Sequence, residues 1–80
     1  MNSIVVESAT LATLAYEEAR EILQLEFRSG AFYRYYGVPV PVYEALLAAP
    51  SKGGYFNRAI RGNFPHWRAS SGAAGLQGEA

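Results

Sequence analysis

The side chains best suited to binding chemistry are basic and lie in the second half of the chain. Residues 45–78 contain Lys52, Arg58, Arg61 and Arg68 and no acidic residue, although the net charge of the protein is zero. Arg58 and Arg61 are spaced by one helical turn, so their guanidinium groups can reach the same phosphate or carboxylate. With Lys52 they predict an anion-binding surface; the alternative is an ordinary solvated face. The cluster is too small for strong nonspecific binding to a duplex, which requires many phosphate contacts.

A second candidate surface combines aromatic rings with a guanidinium group. Phe32, Arg34 and Tyr36 alternate along one segment, which places them on the same face of a strand. Rings beside a cation suit base stacking and phosphate contact. The alternatives are a solvated face or a surface that covers a second copy of the chain. Tyr33 and Tyr35 point to the opposite face, and we assign them to the core rather than to base stacking.

Few residues of this chain are suited to catalysis or to metal binding. There is no cysteine, hence no thiol nucleophile and no thiolate metal site. His66 is the single histidine, which leaves too few ligands for a transition metal. No serine or acid is placed to make His66 a general base. We therefore expect a protein that is not an enzyme, with no catalytic residue, no bound metal and no cofactor.

The elements that must position these side chains follow from hydropathy and turn residues. Alternating or aromatic segments predict strands at residues 10–16, 22–28 and 32–36. Prolines end the sheet and delimit helices at residues 41–48 and 52–61. The expected fold is α+β, a three-stranded antiparallel meander with two short helices packed on one face.

The hairpin between the second and third predicted strands has a preferred register. A three-residue turn at residues 29–31 sets Leu25 opposite Tyr35 and creates an ion pair between Glu26 and Arg34. A two-residue turn instead pairs apolar residues with charged ones, so the three-residue turn is favoured.

The second predicted helix begins with a small cluster of polar and glycine residues. Ser51 is suited to cap the helix, and Lys52 with two glycines follows it. Free backbone N–H groups there suggest an anion site, but the spacing is not that of a P-loop. The simpler interpretation is a serine cap followed by a turn. Tyr55, beside the basic cluster, is a candidate for stacking on a ligand.

Length and composition limit the organisation of the chain. Its 80 residues are 50% hydrophobic and 18% charged, which is typical of one small globular domain. We assign this domain to residues 3–68 and read residues 69–80, rich in Gly, Ser and Ala, as a flexible tail. No apolar run is long enough to span a bilayer, so we expect no membrane partner and a cytoplasmic location.

A tyrosine-rich strand and two helical segments form a distinctive pattern, which here reads Tyr33-Arg34-Tyr35-Tyr36-Gly37-Val38-Pro39, Val42-Tyr43, Leu46-Leu47, Ala49-Pro50-Ser51-Lys52-Gly53, Tyr55-Phe56-Asn57 and Ile60-Arg61. In this pattern the sequence closely resembles the KTSC domain family, a small domain named for its occurrence at the C-terminus of some lysyl-tRNA synthetases. The resemblance covers about Ser8 to Arg68. Its departures are Pro41, where the family more often shows a polar residue, and the Glu17-Glu18 connection.

The resemblance implies an unassigned function, suggests RNA binding through the association with a synthetase, and supplies no catalytic residue. Together with the basic cluster it leads to one expectation: a non-catalytic module that binds nucleotide phosphates, either single-stranded RNA or a small nucleotide that it sequesters. The alternative is a protein-interaction module that acts as a homo-oligomer through Phe32 and Tyr36. Because the core of so small a domain is marginal and this face is apolar, we also expect the chain to form a homo-oligomer, a symmetric dimer. The candidate ligand-binding residues are Lys52, Arg58, Arg61, Tyr55, Arg34, Phe32 and Tyr36.

Overall fold

The computed structural model describes residues 2–69 and has five strands and two helices, the second continued by a turn of π-helix. The sheet is antiparallel in the order β1 to β5, so each strand pairs with its neighbours in sequence. The α+β class is confirmed, whereas the expected three strands are five. The elements are β1 Ser3–Val5, β2 Leu11–Glu17, β3 Ile22–Phe27, β4 Phe32–Tyr36, α1 Val40–Ala48, α2 Lys52–Tyr55, the π-helix Phe56–Ile60 and β5 His66–Ala69.

The two strands that the sequence did not predict lie at the edges of the sheet. β1 has only three residues, all exposed, so it lacks the alternation that marks a half-buried strand. β5 follows Pro65 and is also largely exposed. It is a strand because it pairs with β4, with His66 opposite Tyr35 and Ala69 opposite Phe32. Pairing across the sheet, and not local preference, determines both edges.

The folded domain extends beyond the predicted boundary at residue 68. Ala69, expected to open the flexible tail, is the last residue of β5. The rest of the predicted tail, residues 70–80, lies outside the described residues.

The register of the β3–β4 hairpin differs from the prediction. Leu25 lies opposite Tyr33, and Glu26 lies opposite Phe32. The turn does contain three residues, but they are 28–30, and the Phe27 N–H donates to the Ala31 carbonyl at 2.9 Å. The cause is glycine, because Gly30 has a φ of 96° and the left-handed residue of such a turn comes last.

This shift removes the predicted ion pair and keeps the predicted faces. Arg34 lies opposite Gln24 and donates from Nε to its Oε1 at 2.8 Å. Glu26 instead accepts a hydrogen bond from the Thr13 hydroxyl at 3.0 Å. Because the pairing slips by two residues, every side chain stays on the side that alternation assigns to it.

The core lies between the sheet and the helices. Leu14, Leu23 and Leu25 from the sheet are 0% exposed, as are Leu46 of α1 and Ile60 of the π-helix. Both helices therefore pack on the same face of the sheet, as expected. Neither is long and apolar enough to cross a membrane, within the part of the chain that the structure describes.

The second helix begins as the sequence predicts. The Ser51 hydroxyl accepts a hydrogen bond from the Gly54 N–H at 3.1 Å, which is the geometry of an N-cap. Gly53 is buried, and a Cβ atom added to it would lie 2.8 Å from Thr10 Oγ1. The absence of a side chain at this position thus lets α2 approach the chain just before β2.

Candidate ligand-binding cleft

A cleft of about 510 Å³ opens on the helix-covered side of the sheet, between β4, β5 and the π-helix. Its volume is within the range of roughly 300–1,000 Å³ that is typical of small-molecule sites. No acidic residue of the described chain lines it. Its aromatic wall is formed by Phe27, Tyr33, Tyr35, Phe56 and His66.

The aromatic wall follows from strand alternation and from the pairing of β4 with β5. Tyr33 and Tyr35 point toward the helices, and their partners across the strand pair are Arg68 and His66 respectively. The His66 ring stacks on the Tyr35 ring, with centroids 5.1 Å apart and an interplanar angle of 25°. The Phe56 ring closes the floor, edge-on to Tyr35 at 5.5 Å. The result is a layered set of rings at the open end of the core.

Two guanidinium groups and a carboxamide face this wall. Arg68 lies 5.7 Å from the centroid of the Tyr33 ring, a cation–π distance. Arg61 and Asn57 come from the π-helix and its C-terminal end, and both line the cleft. With two positive charges and no lining acid, the cleft is an electropositive pocket in a protein of zero net charge.

The π-helix determines where Arg61 lies. The Arg61 N–H donates to the Phe56 carbonyl at 2.9 Å, five residues back, instead of the four residues of an α-helix. The wider turn lets Phe56 and Ile60 remain buried while Asn57 and Arg61 reach the cleft. Such turns carry poorer helical geometry and are frequent at functional sites.

Among the polar side chains that line the cleft, Tyr35 is the most deeply buried. Tyr35 is 3% exposed, and its hydroxyl makes no hydrogen bond to any described residue. Burial raises its pKa above the usual 10.0, neighbouring Tyr33 adds to the rise, and Arg61 opposes it. The effect of Arg61 on this pKa indicates that its charge lies within electrostatic reach of the hydroxyl. A protonated, desolvated donor without an acceptor is uncommon in a folded protein.

Tyr16 provides the comparison on the other side of the core. Its hydroxyl donates to the Val38 carbonyl at 2.6 Å, and its ring stacks on Tyr43 with centroids 4.3 Å apart. Burial is also the main cause that raises the pKa of Tyr16, followed by Glu21 and other carboxylates. Of these two core tyrosines, only Tyr16 has an acceptor for its hydroxyl among the described residues.

The basic cluster predicted from the sequence is divided by the structure. Arg61 lines the cleft, whereas Lys52, Tyr55 and Arg58 are not among its lining residues. The Arg58 guanidinium lies 5.8 Å from the centroid of the Tyr55 ring. Lys52 Nζ donates to the Ala49 carbonyl at 3.2 Å, which closes the start of α2. At the N-terminus of α2 these contacts agree with the simpler interpretation, a serine cap followed by a turn.

The second predicted surface lies on the other side of the sheet. Phe32 and Tyr36 are half-buried there, and Arg34 is exposed. Trp67 lies directly across from Arg34 and is 61% exposed, so it does not close the edge of the core. We call Phe32, Arg34, Tyr36 and Trp67 the open sheet face. The sheet separates this face from the cleft, so the two sets of residues cannot hold one small ligand together.

Sequence reasoning missed four residues of the cleft for one structural reason. Tyr35, Asn57, His66 and Arg68 meet only when β5 pairs with β4 and the second helix ends in a π-turn. The alternation of His66 and Arg68 after Pro65 is the signal that a strand was present. Among residues 2–69, no group of three or more His, Asp or Glu side chains is placed to hold a metal ion.

Comparison with known proteins identifies the family. The family model of the KTSC domain matches residues 7–64 of this chain. An uncharacterized protein of Stutzerimonas stutzeri is 41% identical over 69 residues, which cover 85% of this chain and 97% of that protein. A lysine–tRNA ligase of Nostoc sp. is 42% identical over 64 residues, which cover 80% of this chain but only 11% of the ligase.

A solved structure supports the same assignment. The crystal structure of a KTSC domain protein from Yersinia pestis superimposes with a TM-score of 0.83 at 28% identity. The alignment covers 86% of this chain and 97% of that protein. Because the family match spans most of the described residues and the two folds superimpose over most of both chains, the chain belongs to the KTSC domain family.

Proposed function

We propose that this domain is a non-catalytic module that binds nucleotide phosphates in the cleft, as single-stranded RNA or as a small nucleotide. The observation that carries the proposal is the aromatic wall faced by Arg61, Arg68 and Asn57 with no acid among the described lining residues. Stacking of a base on an aromatic ring contributes about 1–3 kcal/mol. Arginine is the side chain best matched to phosphate oxygens.

Two further considerations favour a nucleotide over another anion. Several relatives are named lysine–tRNA ligases, a class of protein that acts with tRNA. A simple anion also needs no aromatic wall, whereas a nucleotide uses both the rings and the guanidinium groups. A cytoplasmic location, where RNA and nucleotides are abundant, is part of this proposal.

The test uses two arginines of the same helical segment. Fluorescence anisotropy of a labelled six-nucleotide RNA, measured across a salt series, gives the affinity and its electrostatic part. Arg61→Ala should weaken binding about tenfold, because a charge-assisted hydrogen bond contributes roughly 1.5–3 kcal/mol. Arg58→Ala removes the same charge three residues away, outside the cleft, and should change the affinity less than twofold. Equal losses in both variants would show that binding is a diffuse charge effect and not a property of the cleft.

The second candidate function is protein interaction through the open sheet face, with a second copy of the chain as the partner. The observation that favours it is Trp67, 61% exposed beside the rings of Phe32 and Tyr36. Exposed aromatic clusters on small domains often mark an interface. Sedimentation at high micromolar concentration should then give a dimer, and Phe32→Glu should give a folded monomer. A monomeric wild-type protein would exclude this second function.

A further inference from the structure

We propose that the cleft holds one unpaired nucleotide and that the Tyr35 hydroxyl donates a hydrogen bond to its phosphate. This inference rests on the proposed function and assigns the group that recognises the ligand. Its starting point is the contrast between two tyrosines in the same small core. Tyr16 has a carbonyl acceptor at 2.6 Å, and Tyr35, although 3% exposed, has no acceptor among the described residues.

The residues around the Tyr35 hydroxyl indicate which kind of acceptor it can bind. The hydroxyl is protonated at neutral pH, as in any tyrosine, and burial raises its pKa further. It therefore offers a proton to an oxygen that no described residue supplies. Arg61 lies within electrostatic reach of this hydroxyl and lines the same cleft. A donor and a cation that line the same cleft are suited to an anionic oxygen, and a phosphate group provides up to three.

The aromatic wall accounts for the rest of the ligand. His66 is exposed, yet its ring is stacked against Tyr35 on the cleft side of the sheet. A planar base can extend this stack, as bases do on exposed aromatic rings in single-strand binders. Arg68 lies over the Tyr33 ring, at the rim of the same wall. Its guanidinium can contact either the base or a second phosphate.

The depth of the cleft selects against paired bases. Tyr35 and Phe56, 3% and 4% exposed, close the floor, so the ligand enters from one side only. The volume of about 510 Å³ suits a group of nucleotide size rather than a helical duplex. In a duplex both base faces are already stacked, and leaving the stack costs a few kcal/mol. The ligand is therefore one accessible base with its phosphate. Both a free mononucleotide and a single-stranded RNA can supply this group.

The experiment separates these two sources and maps the site. Full-length ¹⁵N-labelled protein is titrated with AMP, adenosine, ribose 5-phosphate, a six-nucleotide single-stranded RNA and the same RNA as a duplex. AMP and the single strand should shift the amide signals of Asn57, Arg61 and His66. Adenosine and ribose 5-phosphate should each bind at least tenfold more weakly than AMP. A single strand that binds and an AMP that does not would assign the site to RNA, and the reverse to a free nucleotide.

The decisive variants form a matched pair that removes one hydroxyl each. Tyr35→Phe should weaken binding of the better ligand about tenfold, as expected for a hydrogen bond to a charged group. It should leave the melting temperature unchanged, because the hydroxyl has no hydrogen-bond partner to lose among the described residues. Tyr16→Phe should do the opposite: the bond to Val38 is lost, the melting temperature falls, and the affinity stays the same.

Each contrary outcome overturns a different statement. If the wild-type protein binds a nucleotide or RNA and Tyr35→Phe binds it equally well, the assignment of the hydroxyl is wrong and the proposed function stands. If the duplex binds as tightly as the single strand, the restriction to an unpaired nucleotide is wrong. If no ligand of the panel binds the wild-type protein, the proposed function itself fails.

Discussion

Replacing Gly53 by alanine tests how the second helix is held against the sheet. Gly53 is the second residue of α2 and is buried. An alanine Cβ would lie 2.8 Å from Thr10 Oγ1 and 3.0 Å from Thr10 Cβ. Both distances are shorter than van der Waals contact. A change of the Thr10 rotamer can move Oγ1 but not Cβ, which is fixed to the backbone, so the contact at 3.0 Å remains.

Two opposing terms determine the size of the effect. Overpacking a well-packed contact costs typically about 1–3 kcal/mol. Replacing glycine by alanine within a helix recovers up to about 1 kcal/mol through the lower entropy of the unfolded chain. The contact term is larger, so we expect the free energy of unfolding to fall by about 1–2 kcal/mol. For a domain of this size that corresponds to a fall in melting temperature of roughly 4–16 °C.

Urea denaturation followed by circular dichroism measures the loss, and a double-mutant cycle assigns its cause. Thr10→Ala removes the nearest atom, Oγ1, so Gly53→Ala should cost less in that background. A coupling free energy above about 0.5 kcal/mol is expected for residues in direct contact. Additive effects, or an increase in stability on Gly53→Ala, would refute the view that a close approach to Thr10 excludes a side chain at position 53.

Three further predictions follow from individual contacts. Ser51→Ala should lower the free energy of unfolding by about 1 kcal/mol in urea titrations, because the N-cap of α2 is lost. Burial raises the pKa of Tyr35 and Tyr43, so the folded state favours the neutral phenols. The free energy of unfolding, measured from pH 8 to 11, should therefore be constant below about pH 10 and fall above it. A double-mutant cycle of Glu26→Ala and Arg34→Ala should give no coupling, since Arg34 bonds Gln24 and Glu26 bonds Thr13. A coupling of about 0.5 kcal/mol or more would favour the register expected from sequence.

Much of the architecture is a local property of the sequence. Alternation in β3 and β4 assigns each side chain to a face, and this assignment is the same in the structure. In β2 a register shift between Leu11 and Thr13 interrupts the alternation, so that Leu11 and Leu14 are both buried. Pro39 and Pro41 mark the start of α1, Pro50 follows its end, and Ser51 caps α2. These features need only the preferences of residues a few positions apart, so sequence reasoning is sufficient for them.

The features that tertiary structure decided all depend on pairing between distant segments. β5 is a strand because it adds to β4, some thirty residues earlier, and β1 exists only as the partner of β2. The hairpin register depends on which loop position takes the left-handed conformation, and Gly30 takes the last. Two registers that keep the same faces differ little in apolar pairing, so hydropathy alone does not distinguish them.

The cleft also depends on contacts between segments that are distant in the sequence. Asn57 and Arg61 reach it through a π-turn that no local preference predicts, and His66 and Arg68 reach it through β5. Sequence alternation does place Tyr35 inside the protein. Whether its hydroxyl finds an acceptor depends on three elements that meet around it, and only the packed structure contains that information. The sequence alone therefore determines the membership in the KTSC family, the α+β class and the faces of β3 and β4, whereas the tertiary structure decides where a ligand can bind, because a binding site is made of long-range contacts.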